Sequence, residues 1–309
     1  MPELPEVETV KRGLQRLLPD LMITEATSDT PKSFPNAPAD VSQFLIGAKV
    51  VEVRRRAKVL IIELSTKYSL IIHLKMTGQL VYRGAVEAVV GEGQQVEQVR
   101  FGAGHPNASL IGELPDRSTR VILTFANGAH LYFNDQRKFG WVRLLPTAEV
   151  PMIDFFQRVG PEPLSDDFSW QIMRDRLQRR KNTSIKAAIL DQSVIAGVGN
   201  IYADESLWGA KIHPSTLVKS VSDTKIKALY KALRDVLQLS IDMGGSTDQH
   251  YVDAEGKPGK YLTFANVFRR EGLPCTRCAA IIEKSRVAGR GTHTCPVCQK
   301  MPTARQLAR

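Results

Sequence analysis

Cysteine is absent from the first 274 positions of this chain. A disulfide framework is therefore excluded for nearly its whole length. A core has to come from apolar packing, and 309 residues are enough for two domains. Long apolar runs are missing too: no stretch could span a bilayer, and the N-terminus lacks the basic-then-apolar order of a signal peptide. A soluble, cytoplasmic protein is expected. Carboxylates are in deficit, 32 Asp and Glu against 42 Lys and Arg, which leaves a net charge of +10 and points to a polyanionic partner.

The deficit is concentrated. From residue 266 to 309 nine Lys and Arg stand against two Asp and Glu, so +7 of the +10 lies in the tail. The same tail holds all four cysteines, as Cys275-x2-Cys278 and Cys295-x2-Cys298 with sixteen residues between the pairs. This spacing falls in the zinc-ribbon range, and four thiolates complete a closed tetrahedral site for one structural Zn2+. Two disulfides are the alternative, disfavoured in a cytoplasmic chain. Bound zinc would bring the local charge to about +5. It would also supply folding energy that so short a ribbon cannot draw from a core of its own. Between the cysteine pairs, Gly289 and Gly291 flank Arg290 and expose it at a hairpin tip.

The front of the chain, Met1-Pro2-Glu3-Leu4-Pro5-Glu6-Val7-Glu8-Thr9, combines prolines with carboxylates. Val7, Val10, Leu14, Leu17 and Leu18 form one apolar helical face, with Pro5 suited to the first position and Glu6 and Glu8 to the first turn. On local pattern alone this is a proline-started, acid-capped helix. Removal of Met1 would leave the secondary amine of Pro2 beside Glu3 and Glu6. An α-amino group titrates near ~8, so roughly a tenth of it is neutral at pH 7. The positive end of the helix would lower that pKa further, while also favouring ionised Glu3.

Short β-rich runs follow at 50–53, 59–64, 69–74, 79–82, 121–125, 129–133 and 141–145, with Asn127-Gly128 as a tight turn. They suffice for a two-sheet sandwich fronted by the first helix. Residues 83–118, rich in Gly, Glu and Gln, are expected to be a long mobile loop. The proline-rich stretch 146–163 is the linker candidate. Beyond it, helices are expected at 166–180, 184–190, 200–208 and 222–243. The fold class is α+β and multidomain: an N-terminal sandwich domain with flanking helices (1–150), a helical domain (151–265) and a zinc ribbon with its tail (266–309).

Several positions could carry chemistry. Lys58 begins a strand, where a cation could hold a phosphate or move a proton, or could be a solvated edge lysine. Met76 reads as core filler. Arg137 and Phe139 form a loop tip with a cation two residues from an aromatic. An enzyme that flips a base out of duplex DNA must fill the hole, and apolar wedges and arginine suit that task. Gly197-Val198-Gly199-Asn200 ahead of a helix can aim free N–H groups at a phosphate, or can be a mere tight turn. Lys181 is the phosphate candidate within the basic run 174–181, which otherwise reads as a solvated helix face.

Taken together, MPELPEVET at the front, RRAK ending at Lys58, AGVGNIYADE around Asn200 and the cysteine ribbon resemble the formamidopyrimidine-DNA glycosylases, from Pro2 to about Lys300. The resemblance implies a bifunctional base-excision repair enzyme. It would remove oxidised purines, formamidopyrimidines and 8-oxoguanine, from duplex DNA and cleave the resulting abasic site by β,δ-elimination. It implies Pro2 as nucleophile, Glu3 managing the proton that opens the sugar, Glu6 in support, and Lys58 and Arg290 assisting elimination. Met76, Arg137 and Phe139 would fill the gap in the duplex. Lys181, Asn200 and Tyr202 would contact DNA. Residues 248–262 would form a lid over the flipped base. A bacterial-type, nucleoid-associated monomer carrying one structural zinc is implied. Two departures stand out. The family's Lys-His-x-His is Arg117-Ser118-Thr119-Arg120 here, so a DNA-contacting histidine is missing, and the 83–118 stretch is longer than usual. Two other readings are an endonuclease VIII-like enzyme for oxidised pyrimidines and a zinc-dependent binder of damaged DNA without catalysis.

Overall fold

Helix α1 (Leu4–Leu17) starts with a reciprocal capping box: the Glu3 side chain accepts from the Glu6 amide, and the Glu6 side chain accepts from the Glu3 amide. Leu4, Val7, Val10 and Leu14 follow helical spacing and are fully buried. The computed structural model describes residues 1–90, 93–105, 107–246 and 261–303.

The strands are β1 (Ile23–Ser28), β2 (Val50–Arg56), β3 (Val59–Leu64), β4 (Tyr68–His73), β5 (Gly78–Val90), β6 (Gly93–Gly104), β7 (Thr119–Phe125), β8 (His130–Asp135) and β9 (Trp141–Pro146). They form two antiparallel sheets, one of five strands in the order β1-β7-β8-β5-β6 and one of four in the order β2-β3-β4-β9. The inward residues of both sheets and the apolar face of α1 share one core, including Leu60, Ile62, Leu70, Ile72, Tyr82, Phe101 and Phe133. Helix α1 comes so close to β6 that a Cβ on Gly13 would lie 2.3 Å from the Phe101 ring. Glycine is required there. Short helices α2 (Pro38–Asp40) and α3 (Asp154–Arg158) complete this part.

Residues 83–118 are not the long loop that their composition suggests. Strands β5 and β6 pair from Gln79↔Gly104 to Val90↔Gly93, and among the described residues a single 3-10 turn, Ala108–Leu110, follows before β7. The β-branched residues Val86, Val89, Val90, Val96 and Val99 on either side of Gly-Glu-Gly were the hairpin signal, obscured by intervening Gln and Glu.

The described chain divides into two units, Met1–Gln157 with residues 244–246, and Arg158–Met243 with residues 261–303. The division lies within the proline-rich 146–163 stretch. In the second unit, α4 (Trp170–Gln178), α5 (Ile185–Leu190), α6 (Asn200–Gly209) and α7 (Asp223–Asp242) surround a core of Met173, Ile189, Tyr202, Leu207 and Leu229. Helix α4 is shorter than 166–180 because Ser169 caps it, accepting from the Ile172 amide. Strands β10 (Glu283–Val287) and β11 (Arg290–Thr294) form the ribbon hairpin. The ribbon is fastened to α6 by Glu205, whose buried carboxylate accepts the backbone amides of Asn266, Val267 and Phe268. The expected lid at 248–262 falls almost wholly outside the described residues. No described helix is long and apolar enough to cross a membrane.

Candidate functional site

Pro2, Glu3 and Glu6 are all buried at the front of α1, while Met1 stays exposed. The Glu6 carboxylate is held on both sides. One oxygen accepts the Glu3 amide at 2.8 Å, and the other accepts the amide and the hydroxyl of Ser246 at 2.8 and 2.7 Å. The backbone beside Pro2 is thus pinned to a segment 240 residues away in sequence.

Lys58 sits in the turn between β2 and β3 and is buried, not the solvated lysine that an edge position would suggest. Arg55 braces this turn, donating to the Ala57 carbonyl at 2.8 Å and to Glu8 of α1 at 2.9 Å. One ion pair therefore links the helix that follows Pro2 to the turn carrying Lys58. His73, to which the sequence reading gave no role, lies in the same neighbourhood. It pairs with Val59 across β3 and β4, and its Nδ1 accepts from the Lys75 amide at 3.0 Å. Burial, together with the charges of Lys75 and Lys58, pushes the His73 imidazole down to about 3. His73 is therefore neutral at any working pH.

This has a stability consequence. The unfolded histidine takes its proton near ~6.5, well before the folded one. The benefit of keeping His73 neutral is complete above that pH and is lost as pH falls toward 3. Between pH 7 and pH 5 it should cost about 2 kcal/mol. Urea unfolding at both pH values is expected to show this acid-side loss in the wild type and its absence in His73→Gln.

The Met76 and Phe139 side chains project from two loops of the same unit, 42% and 45% exposed. Each follows a residue with positive φ, Lys75 at 51° and Lys138 at 55°, which turns the chain outward. Arg137 joins them: its Nη1 is 3.2 Å from the Met76 sulfur, and its guanidinium lies 4.7 Å from the Phe139 ring centroid. Three residues separated by up to 63 positions form one exposed cluster. Ser118, at the position of the missing histidine, is buried and bonds Asp116, whereas Arg117 is exposed.

In the second unit, Gln192 supports the turn before α6, its side chain accepting from the Gly197 amide and donating to the Val198 carbonyl. Asn200 begins α6 and donates to the Gly291 carbonyl at 3.0 Å, beside Arg290. Positive φ at Ala288 and Gly289 makes a tight turn that leaves Arg290 exposed at the start of β11. Lys181 is exposed in the loop after α4. Tyr202, expected to touch DNA, is instead fully buried; its hydroxyl bonds Ser240 of α7 at 2.6 Å, and it belongs to the core.

The hairpin that carries Arg290 rests on a buried ion pair that the sequence did not disclose. Lys186 and Asp204 are both fully buried, 2.7 Å apart. Lys186 also donates to the Gly291 carbonyl and the Thr292 hydroxyl, and Asp204 accepts the His293 amide. Lys186→Met would remove the buried cation and leave the Asp204 carboxylate with only the His293 amide and imidazole beside it. A loss of roughly 3–5 kcal/mol is expected in denaturant unfolding. Adding Asp204→Asn should recover part of it by removing the stranded charge.

The four cysteine sulfurs lie within 4.8 Å of one another, with Cys278 and Cys295 3.4 Å apart and Cys278 and Cys298 3.6 Å apart. A tetrahedron with bonds of about 2.3 Å has edges of about 3.8 Å, so the donor set fits zinc. Burial pushes the Cys295 and Cys298 thiols up. For Cys275 burial acts the same way, but donors from the Arg277 amide, the Trp208 indole and the Cys278 amide outweigh it and hold the thiol at about 6. Crowded thiolates of this kind are stabilised by a dication.

Three family models match in order: the formamidopyrimidine-DNA glycosylase N-terminal domain over residues 1–142, the H2TH domain of the same glycosylases over 159–252, and a zinc finger found in FPG and IleRS over 272–300. A formamidopyrimidine-DNA glycosylase of Pelotomaculum thermopropionicum is 39% identical over 304 residues, covering 97% of this chain and 100% of that protein. The counterpart from Herpetosiphon aurantiacus is 41% identical over 301 residues, with 97% and 100% coverage. Among solved structures, the Lactococcus lactis Fpg in complex with abasic-site DNA superposes with a TM-score of 0.81 at 32% identity, covering 97% of this chain and 100% of that one. MutM (Fpg) from Thermus thermophilus gives 0.78 at 35% identity, covering 98% and 100%.

Proposed function

Since the chain belongs to the formamidopyrimidine-DNA glycosylase family, we propose that it excises oxidised purines from duplex DNA through Pro2 and then cleaves the strand at the abasic site. The observation that carries this reading is the doubly anchored Glu6. An ordinary helix start needs only the capping box. Here the second carboxylate oxygen is also tied down by Ser246, which fixes the backbone next to the nucleophile.

With Met1 removed, the Pro2 ammonium gives one proton to Glu3, its lone pair forms a bond to the sugar C1′ while the bond from C1′ to the base breaks, and the base leaves with the remaining amine proton. Glu3 delivers a proton to the ring oxygen as the sugar opens, leaving a cationic iminium on Pro2. That cation acidifies the C2′ proton. Its loss expels the 3′ phosphate, a second elimination expels the 5′ phosphate, and water releases the sugar remnant and returns the amine. Lys58, held beside neutral His73, can attract a phosphate or take up a proton. Asn200, Arg290 and Lys181 supply phosphate contacts, and the Met76–Arg137–Phe139 cluster fills the stack that the flipped base vacates. Zinc, bound by Cys275, Cys278, Cys295 and Cys298, stabilises the ribbon and takes no part in the reaction.

Borohydride reduction during turnover of abasic or 8-oxoguanine duplex tests this. A trapped protein–DNA adduct is expected, with the added mass on the peptide beginning at Pro2. A nicked strand with phosphate at both ends of the gap should accumulate without reductant. Salt-sensitive binding with no adduct and no nick would instead describe a binder of damaged DNA.

A further inference from the structure

Arg120 is buried, and its partners are main-chain oxygens. Nε donates to the Asp135 carbonyl at 2.9 Å, Nη2 to the Arg117 carbonyl at 2.8 Å and Nη1 to the Thr119 carbonyl at 3.4 Å. Among the described residues no carboxylate forms an ion pair with it. Burying a cation against dipoles alone is costly. Its position in the sheet explains the geometry. The β7–β8 register slips between Thr119 and Val121, so Arg120 is the extra residue of a bulge, which turns its side chain back over the end of β8.

What the guanidinium holds there is the base of the exposed cluster. Asp135 is fully buried, and its carboxylate organises both loops: Oδ1 accepts the Thr77 hydroxyl and the Arg137 amide, and Oδ2 accepts the Gly140 amide at 2.6 Å. Thr77 follows Met76, while Arg137 and Phe139 lie between Asp135 and Gly140. The Thr77 oxygen also accepts the Arg137 amide at 3.1 Å. From Arg120 through Asp135 and Thr77, one hydrogen-bonded frame fixes Met76, Arg137 and Phe139 relative to one another.

We infer that Arg120, acting through Asp135 and Thr77, is a positioning residue that keeps the Met76–Arg137–Phe139 wedge assembled before DNA arrives. The inference rests on the glycosylase reading above. A preformed wedge matters most when a stacked base has to be extruded, and less at an abasic site, where no base remains to be unstacked.

The test compares Arg120→Lys and Thr77→Val with wild type on two duplexes, one with 8-oxoguanine and one with a preformed abasic site. A lysine cannot span the carbonyls that the planar fork reaches, and valine removes only the Thr77 hydroxyl. Each variant is expected to slow 8-oxoguanine release about tenfold, the scale of a misplaced positioning group. Cleavage at the abasic site should stay within about twofold. In a background with Met76, Arg137 and Phe139 all changed to alanine neither change should add a further loss, because the groups being positioned are gone. Equal slowing on both duplexes, or losses that multiply in that triple-alanine background, would overturn the inference. Thr77→Val decides alone if Arg120→Lys fails to fold. A wild-type protein that cuts neither duplex would remove the enzymatic reading and this inference with it, a result distinct from loss of the split alone.

Discussion

Pro2→Gly protein, with its initiator methionine removed, is expected to bind lesion DNA with the salt dependence of the wild type and to process it on the order of 10⁴-fold more slowly. That factor corresponds to about 5 kcal/mol of transition-state stabilisation. The difference is chemical and conformational. A secondary amine gives an iminium whose positive charge is permanent, so the C2′ proton is acidified without further protonation. The primary amine of the glycine variant gives an iminium that can lose its N–H proton and become a neutral imine. The pyrrolidine ring also fixes its φ, whereas glycine would fray from the anchored Glu3 and Glu6. Single-turnover release from 8-oxoguanine duplex, with intact mass confirming the N-terminus, measures the effect. Turnover within about tenfold of wild type, or full activity in molecules that all retain Met1, would remove Pro2 from the mechanism.

Removing the metal should have the other large effect. Zinc held by four thiolates supplies on the order of 10 kcal/mol or more to small ribbons, and here the buried apolar cluster around the metal ligands consists of Val267, Cys275, Ile282 and Cys295. A chelator is expected to unfold the ribbon, release Arg290 from its turn and abolish lesion binding. The helical core around Tyr202 and Leu229 should stay intact. Trp208 offers a local signal, since its indole donates to the Cys275 sulfur at 3.4 Å and the Arg277 guanidinium lies 3.8 Å from its ring centroid. Chelation should change its fluorescence, Trp208→Phe should lose the response, and added Zn2+ should restore both signal and binding. Metal loss should come more easily as pH falls, because each thiolate must compete with a proton. Full activity in protein shown to be metal-free would contradict the structural role.

The proton chemistry of the first unit is arranged around the same economy of charge. Neutral His73 next to Lys58 leaves the lysine as the nearby cation, and the Glu8–Arg55 pair neutralises a charge on α1 while holding the Lys58 turn in place. Burial works against Glu8 ionising, but Arg55, Lys11 and Arg12 prevail and keep its carboxyl below the usual range. The pair therefore stabilises the protein above the ordinary carboxylate range and fades as acid approaches the lowered value.

Much of this molecule was legible in the order of its residues. The cysteine spacing gave a donor set whose four sulfurs the fold gathers within 4.8 Å of one another. Pro5 and Glu6 marked the start of α1, Asn127-Gly128 marked the turn between β7 and β8, and Ser222 marked the start of α7. Each is a local signal, decided by residues within a few positions of one another: a cap, a turn dihedral, a ligand interval. Other features depend on what long-range pairing brings alongside. The β5–β6 hairpin was hidden because Gln and Glu interrupt its valines, and only the register shows them as paired. Lys58, for which a solvated edge position was one reading, and Tyr202, expected at the DNA, are both buried, because the sheet and the helix packing decide which side faces water. The Glu6–Ser246 clamp, the Lys186–Asp204 pair and the Arg120 bulge join positions separated by 240, 18 and 15 residues. The sequence by itself determined which groups could do chemistry. Tertiary structure alone decided which carboxylate is pinned, which lysine is buried and which loops share a frame, because hydrogen-bond partners and solvation are set by neighbours in space.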